Sequence, residues 1–410
     1  ISDSAKIPEG PPVTQPIKTA LSLLPLLGYL IFLIFFAYSK PLYTWDTVPY
    51  TATILSADIK DPQLLHTRTY EYLQRSLSPQ QYASITSGAY AADLENNADH
   101  FISQLDMYRI KPAYVIALRT FTALGAEPLT SLRLLSLIPG VLFCLLLFAW
   151  LSRSCSTLGA ALIVIAFAVV GRLADLSRVP VPDNLSALIV FAALYALVCK
   201  QWLRVAVFLL VASVCVRTNN ILFAGLVLLW QSFSAYAQSA SLRSPAVMLF
   251  AGGLGLSSAL YFTINGLFDY SWWRLFYHTF VQSQVDIPGF AQPFVFETYW
   301  AVVQSALVQI AASGATIATS MPFFVLLLLL CSRGVSRQLL AEALTPRTLV
   351  SVQHLALLCL PLFAAFLVLF PLVLGWDRFF LPFYALITVA AAERWSVKRE
   401  KATQNDPKSL

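Results

Sequence analysis

Apolar residues in this chain come in long runs with few charges inside them. Polar stretches of very unequal length separate the runs. A helix needs about 20 apolar residues to cross the hydrocarbon of a bilayer. On that rule the pattern predicts about ten transmembrane helices: 20–38, 132–152, 157–171, 184–199, 203–216, 220–233, 246–265, 315–331, 354–374 and 380–393. Several of these fall short of a straight crossing. The expected fold is an all-α polytopic bundle, with residues 20–395 as a single transmembrane domain.

The polar stretches set the rest of the architecture. Residues 1–19 carry Pro8, Pro11, Pro12 and Pro16 without an apolar period, and are read as a flexible cytoplasmic tail; 396–410 is read as a second tail. Residues 40–131 form the largest segment outside the spans. In it, Asp46 to Ile59 reads as a short amphipathic helix. Residues 60–100 read as a polar excursion punctuated by Pro62 and Pro79. Residues 101–124 return to a helical period through Leu105, Tyr108, Val115, Leu118 and Phe121. The expectation is two juxtamembrane amphipathic helices in the interface, joined by a polar loop. A second outer segment, 266–314, is rich in aromatic residues (Phe268, Tyr270, Trp272, Trp273, Phe276), as befits headgroup depth.

Composition agrees with a surface that faces lipid. Charged residues make up 12% of the 410 and hydrophobic residues 58%, where a soluble domain carries about 25% charged residues. The formal charge of +6 is spread along the chain. It therefore argues against a nucleic-acid partner and is read as a topology signal. Lys6, Lys18, Arg153, Lys200, Arg204, Arg243, Arg394 and Lys398 then fall on one side, which the positive-inside rule makes cytoplasmic. Both termini are expected there, in a plasma (bacterial inner) membrane. Ala20–Tyr38 is long enough to span and lacks a small-residue cleavage site, so it is read as a span and not as a cleaved signal. The six cysteines lie in or beside apolar runs and are read as small core residues.

The candidate chemistry lies on the opposite, outer side. Asp46, Asp106, Arg109, Lys111, Asp183, Arg217 and Arg378 come from segments far apart in sequence, yet this topology puts them all on one face. Taken singly, each is an ordinary interface anchor, since charges at span ends snorkel cheaply. Together they suit one kind of reaction. A carboxylate can take a proton from an attacking hydroxyl or amide, and cations can stabilise a departing phosphate. His66, His100, Asp99 and Asp106 in the first outer loop could be ligands but lack the spacing of a metal site, so a divalent metal is possible but unsupported and no cofactor is assigned. Asn184-Leu-Ser186 matches a glycosylation acceptor, but it opens a span and is set aside.

Four stretches add a likeness. They are Trp45-Asp46 after the first span; Tyr108-Arg-Ile-Lys-Pro-Ala-Tyr114 with Leu124-Gly125 and Leu132-Arg-Leu-Leu135; Val181-Pro-Asp-Asn-Leu185; and Asp377-Arg-Phe-Phe-Leu-Pro382 with Ala390-Ala-Ala-Glu393. In this order the chain resembles the GT-C superfamily of integral-membrane glycosyltransferases that use polyprenyl-phosphate-linked sugars, above all the aminoarabinose transferase and protein O-mannosyltransferase group. It departs from that pattern where Ala113 follows Lys111-Pro112 and Thr47 follows Asp46.

The resemblance implies that Asp46 is the general base and that Lys111 contacts the donor phosphate, with Arg109 or Arg378. Tyr108, Asp106, Asp183 and Arg217 would line the cavity. The implied partners are a polyprenyl-phosphate-linked sugar donor, an acceptor that is a glycan, lipid or protein, and the bilayer itself. The implied active site is periplasmic. Two rivals stand beside this reading: a transporter or flippase of a lipid-linked or anionic solute, and a non-catalytic subunit on the same scaffold.

Overall fold

A computed structural model describes residues 14–312 and 351–405. Among them there are helices and no strands. Six helical stretches are long and apolar enough to cross a membrane: Ala20–Ser39, Pro128–Leu151, Asp183–Lys200, Thr218–Ser239, Pro245–Leu267 and Val352–Leu369. Two shorter apolar helices, Thr157–Val170 and Leu203–Val216, stand among them. The chain is an all-α, multi-pass membrane protein. Helices run through most of the expected stretches, but the one at 354–374 stops at Leu369, 380–393 is not among the six, and 315–331 lies outside the described residues.

The first helix, α1 (Thr14–Ser39), shows why these segments assemble. It begins inside the stretch expected to be a tail. Leu26, Leu30, Leu33 and Ala37 are buried and recur at helical spacing, while Leu24, Leu27, Ile31 and Phe35 are exposed. A helix that is apolar all round, with one stripe packed, has lipid on its other faces. Its stripe belongs to a core shared with α9 (Pro128–Leu151), α10 (Thr157–Val170), α12 (Asp183–Tyr195, continued by a π-helical turn to Lys200), α13 (Leu203–Val216), α14 (Ile221–Ser239) and the closing helix Trp376–Asn405.

Residues 40–131 differ from expectation. The polar excursion is four helices: α3 (Pro62–Ser76), α4 (Pro79–Thr86), α5 (Ala89–Asn96) and α6 (Ala98–Gln104). Pro62 and Pro79 start helices. Proline at the first helical position lacks only an N–H that has no intrahelical partner anyway. Asp61 caps α3 through Leu64 N, Ser78 and Gln81 form a capping box on α4, and Asn97 caps α6. The stretch 101–124 is broken as well, into the end of α6, the single turn α7 (Asp106–Arg109) and α8 (Pro112–Ala123).

The expected amphipathic helix after Asp46 is α2 (Thr47–Leu55), and it is buried from Thr47 to Ile54 instead of lying in the interface. Two of its threonines bond back to the helix: Thr51 Oγ1 donates to Thr47 O at 2.8 Å, and Thr53 Oγ1 to Tyr50 O at 2.8 Å. Arg119 of α8 donates through Nε and Nη2 to Thr53 O, which secures the helix end. These helices share a second core of Val48, Tyr50, Leu73, Phe101, Tyr114 and Leu118, which docks on Leu129, Leu132 and Leu135 of α9.

Candidate functional site

The site begins with a carboxylate that does not cap. Asp46 precedes α2, where an aspartate usually accepts from the first free N–H groups of the helix. Here it makes no cap bond. Tyr108, 62 positions on, donates its hydroxyl to Asp46 Oδ1 at 3.1 Å. The single turn α7 presents that tyrosine, and Lys111 follows it. Pro112 keeps Lys111 out of helical geometry, at φ −115° and ψ 61°. Its ammonium turns inward and donates to the Tyr50 hydroxyl at 2.8 Å. It also lies 5.3 Å from the Tyr50 ring centre and 5.1 Å from that of Tyr108, a cation–π seat between two aromatic faces. Burial pulls the lysine down from 10.5 to about 8, with Asp46 acting against that pull. Burial also pushes the Tyr50 and Tyr108 phenols well up, so both stay neutral.

Behind this rim stands a second carboxylate. Asp183 opens α12 just after Pro180 and Pro182, where the helix dipole favours a negative charge. It is 2% exposed and bonded on both oxygens: Arg217 Nη1 donates to Oδ1, and Arg378 Nε donates to Oδ2 at 2.7 Å. Arg217 closes α13, and its guanidinium lies 4.4 Å from the Phe379 ring centre. Arg378 comes from the start of the closing helix and reaches forward, with Nη2 4.0 Å from Asp46 Oδ2. The starts of α12 and the closing helix and the end of α13 therefore meet at one end of the bundle. Three cations face two carboxylates there, leaving one positive charge in excess. A small recess of about 10 Å³ lies beside Asp183, Ser186, Arg217, Asn220 and Arg378, room for roughly one water.

Of the residues singled out by sequence, Asp46, Tyr108, Lys111, Asp183, Arg217 and Arg378 are brought together. Asp106 and Arg109 pair with each other at 3.2 Å. Among the described residues no hydrogen bond or ion pair joins them to the cluster. Asp106 instead lines a recess with Tyr270 and Arg274. The side chains weighed as metal ligands are dispersed: His100 Nδ1 meets Asp93 at 2.7 Å, His66 Nε2 meets Leu94 O, and Asp99 accepts from Gln63. Among the described residues no three potential ligands gather.

Three residues were missed. Tyr50 bridges the lysine to the aromatic floor, and no spacing in the sequence signals it. Asn184, set aside as a glycosylation match, is buried and donates to Ser136 O at 2.9 Å and Ser177 Oγ at 3.0 Å, fixing α12 to α9. Gly140 makes room for this, since a Cβ there would stand 2.5 Å from Ser177 Oγ. His278, on α16 (Trp272–Phe280), packs edge-on against Tyr90, which packs edge-on against Trp45 beside Asp46. The aromatic-rich segment after α15 (Pro245–Leu267) is pinned over this flank by Gln104, whose Nε2 donates to Val285 O at 2.8 Å. Compared with known protein families, with curated proteins and with solved structures, the chain finds no match.

Proposed function

We propose that this protein is a membrane glycosyltransferase that moves a sugar from a polyprenyl-phosphate donor to an acceptor hydroxyl or amide. One observation carries the reading. Asp46 is uncapped and 33% exposed, and it stands within reach of both Arg378 and the tyrosine pair that seats Lys111. In the reaction the acceptor attacks the anomeric carbon while Asp46 takes its proton. The bond from that carbon to the phosphate oxygen breaks, and the polyprenyl phosphate leaves with the electron pair. Lys111 and Arg378 stabilise the charge that develops on it. The cluster lies at helix ends, near the depth of a lipid-linked phosphate. A transport site is usually built near the bilayer midplane from interrupted helices, so the position favours surface chemistry. The basic residues at the other end of the bundle favour a periplasmic active site with both termini in the cytoplasm.

Purified full-length protein, given a polyprenyl-phosphate-linked sugar and a glycan, lipid or protein acceptor, is expected to release polyprenyl phosphate and glycosylate the acceptor. Asp46→Asn is expected to abolish this while the protein remains folded. Transfer at the unmutated rate by that variant would remove Asp46 from the role.

A further inference from the structure

At the other end of α13 a second site is built, between α13, α14 and α15 (Pro245–Leu267). Helix α13 is 14 residues long, so at 1.5 Å per residue this end lies roughly 20 Å from Arg217. Here an open groove of about 1060 Å³ runs along Trp202, Val205, Met248 and Leu249, with Arg204 on its wall. It adjoins a smaller cavity of about 170 Å³, which shares Leu203 and Ala246 with it and is lined by Gln231, Ser234, Gln238 and Ser244.

Three observations point to what the pair of cavities holds. Gln231 is 3% exposed, and its Nε2 has no hydrogen-bond partner among the described residues. Leaving a buried amide donor unpaired is unfavourable, so this one lacks an acceptor that a ligand can bring. Next, α15 begins at Pro245 on the cavity edge, and its N-cap Ser244 makes no side-chain cap bond. The first N–H groups of that helix point at whatever sits there, an arrangement that favours an anion. Finally, Arg204 is exposed on the groove wall, Arg243 lies two residues before the helix start, and Trp202 is 58% exposed beside them. Trp at headgroup depth with clustered cations is the signature of a membrane surface.

We infer that this is a binding site for an anionic phospholipid. Its phosphate sits between Arg204 and the start of α15. An ester or glycerol oxygen enters the small cavity and accepts from Gln231 Nε2. An acyl chain lies along Val205, Met248 and Leu249. A soluble anion would use the first of these contacts and leave the apolar groove and Gln231 unused, so the lipid accounts for more of the site. The inference is independent of glycosyl transfer, which its test does not measure.

The test is thermal unfolding of delipidated full-length protein in detergent, with phosphatidylglycerol, phosphatidylcholine or inorganic phosphate added. Native mass spectrometry counts the bound lipid. Phosphatidylglycerol is expected to bind and raise Tm, and phosphatidylcholine to bind at least fivefold more weakly. Arg204→Ala, at an exposed position, is expected to fold normally and to weaken phosphatidylglycerol binding at least fivefold. Gln231→Leu is expected to raise Tm without lipid and to shrink the further rise that phosphatidylglycerol brings. Three results would overturn the assignment: a Tm gain from inorganic phosphate equal to that from phosphatidylglycerol, equal affinity for the two lipids, or an undiminished lipid response in both variants.

Discussion

Two carboxylates stand one behind the other at the same end of the bundle, and Arg378 reaches toward both. Asp183 is buried with each oxygen bonded to an arginine. Asp46 is one-third exposed, accepts one hydrogen bond from Tyr108, and has the same arginine no nearer than 4.0 Å. The difference separates a carboxylate held on both oxygens from one left open at the rim. Asp183 is enclosed with an arginine on each oxygen, whereas Asp46 keeps a solvent-facing carboxylate. The rear pair thus fixes three helices and holds Arg378 in place for the front.

The sharpest way to break this comparison is to neutralise each acid in turn. Asp46→Asn should lower transfer about 10²–10⁴-fold, the usual contribution of a positioned base, while changing stability by no more than about 1 kcal/mol. Turnover assays alongside thermal unfolding check both halves. Asp183→Ala should do the reverse first. It strands two partly buried guanidiniums around a buried position, a change that approaches the ~3–5 kcal/mol of a broken buried pair, so unfolding should come at much lower temperature or denaturant. If the two variants lose stability equally, the front and rear carboxylates do not divide the work.

Raising the pH probes the front alone. Lys111, drawn down to about 8 by burial, is charged below that value and neutral above it. Affinity for an anionic donor should fall about tenfold per pH unit above 8, where an ordinary lysine would hold to 10.5. Stability should move the other way. The unfolded chain keeps the proton up to 10.5, so the penalty for burying the charge lifts as pH rises from 8 to 10.5. Lys111→Met should flatten both trends, measured as donor-analogue binding and as Tm against pH. The smallest effect is expected from Tyr50→Phe, which removes the acceptor of the lysine bond. Its cost is about 0.5–1.5 kcal/mol, with the binding limb shifted to lower pH because the ammonium loses a partner.

How much of this could be read from the sequence depends on which rule governs each part. The bundle was legible because lipid imposes long apolar runs: Thr157–Val170 and Leu203–Val216 fall almost where hydropathy puts them. Helices α3 to α6 were not, because α4 to α6 are short, α3 is largely polar, and their few apolar residues point at a private core through Leu65, Leu73, Leu94 and Phe101. A window of fifteen residues averages several such helices into noise. Their caps were visible all along, in Asp61-Pro62 and Ser78-Pro79-Gln-Gln81, and would have marked the starts. At the site, charge sufficed to nominate Asp46, Lys111, Asp183, Arg217 and Arg378, since charges at span ends are few. It also nominated Asp106 and Arg109, which satisfy each other. Charge says nothing of Tyr50, whose part in the site depends on a fold that brings α2 and Lys111 together.

The bond between Asp183 and Arg378 also orders events in time. The chain is made from its amino end, so α12 and α13 are in the membrane, with Asp183 facing Arg217, long before Arg378 leaves the ribosome. Until Trp376–Asn405 docks, one oxygen of that carboxylate lacks its arginine and Asp46 lacks its neighbour across the rim. The ion-pair cluster is therefore closed by a helix made well after the two that frame it, and a shorter nascent chain holds only part of it.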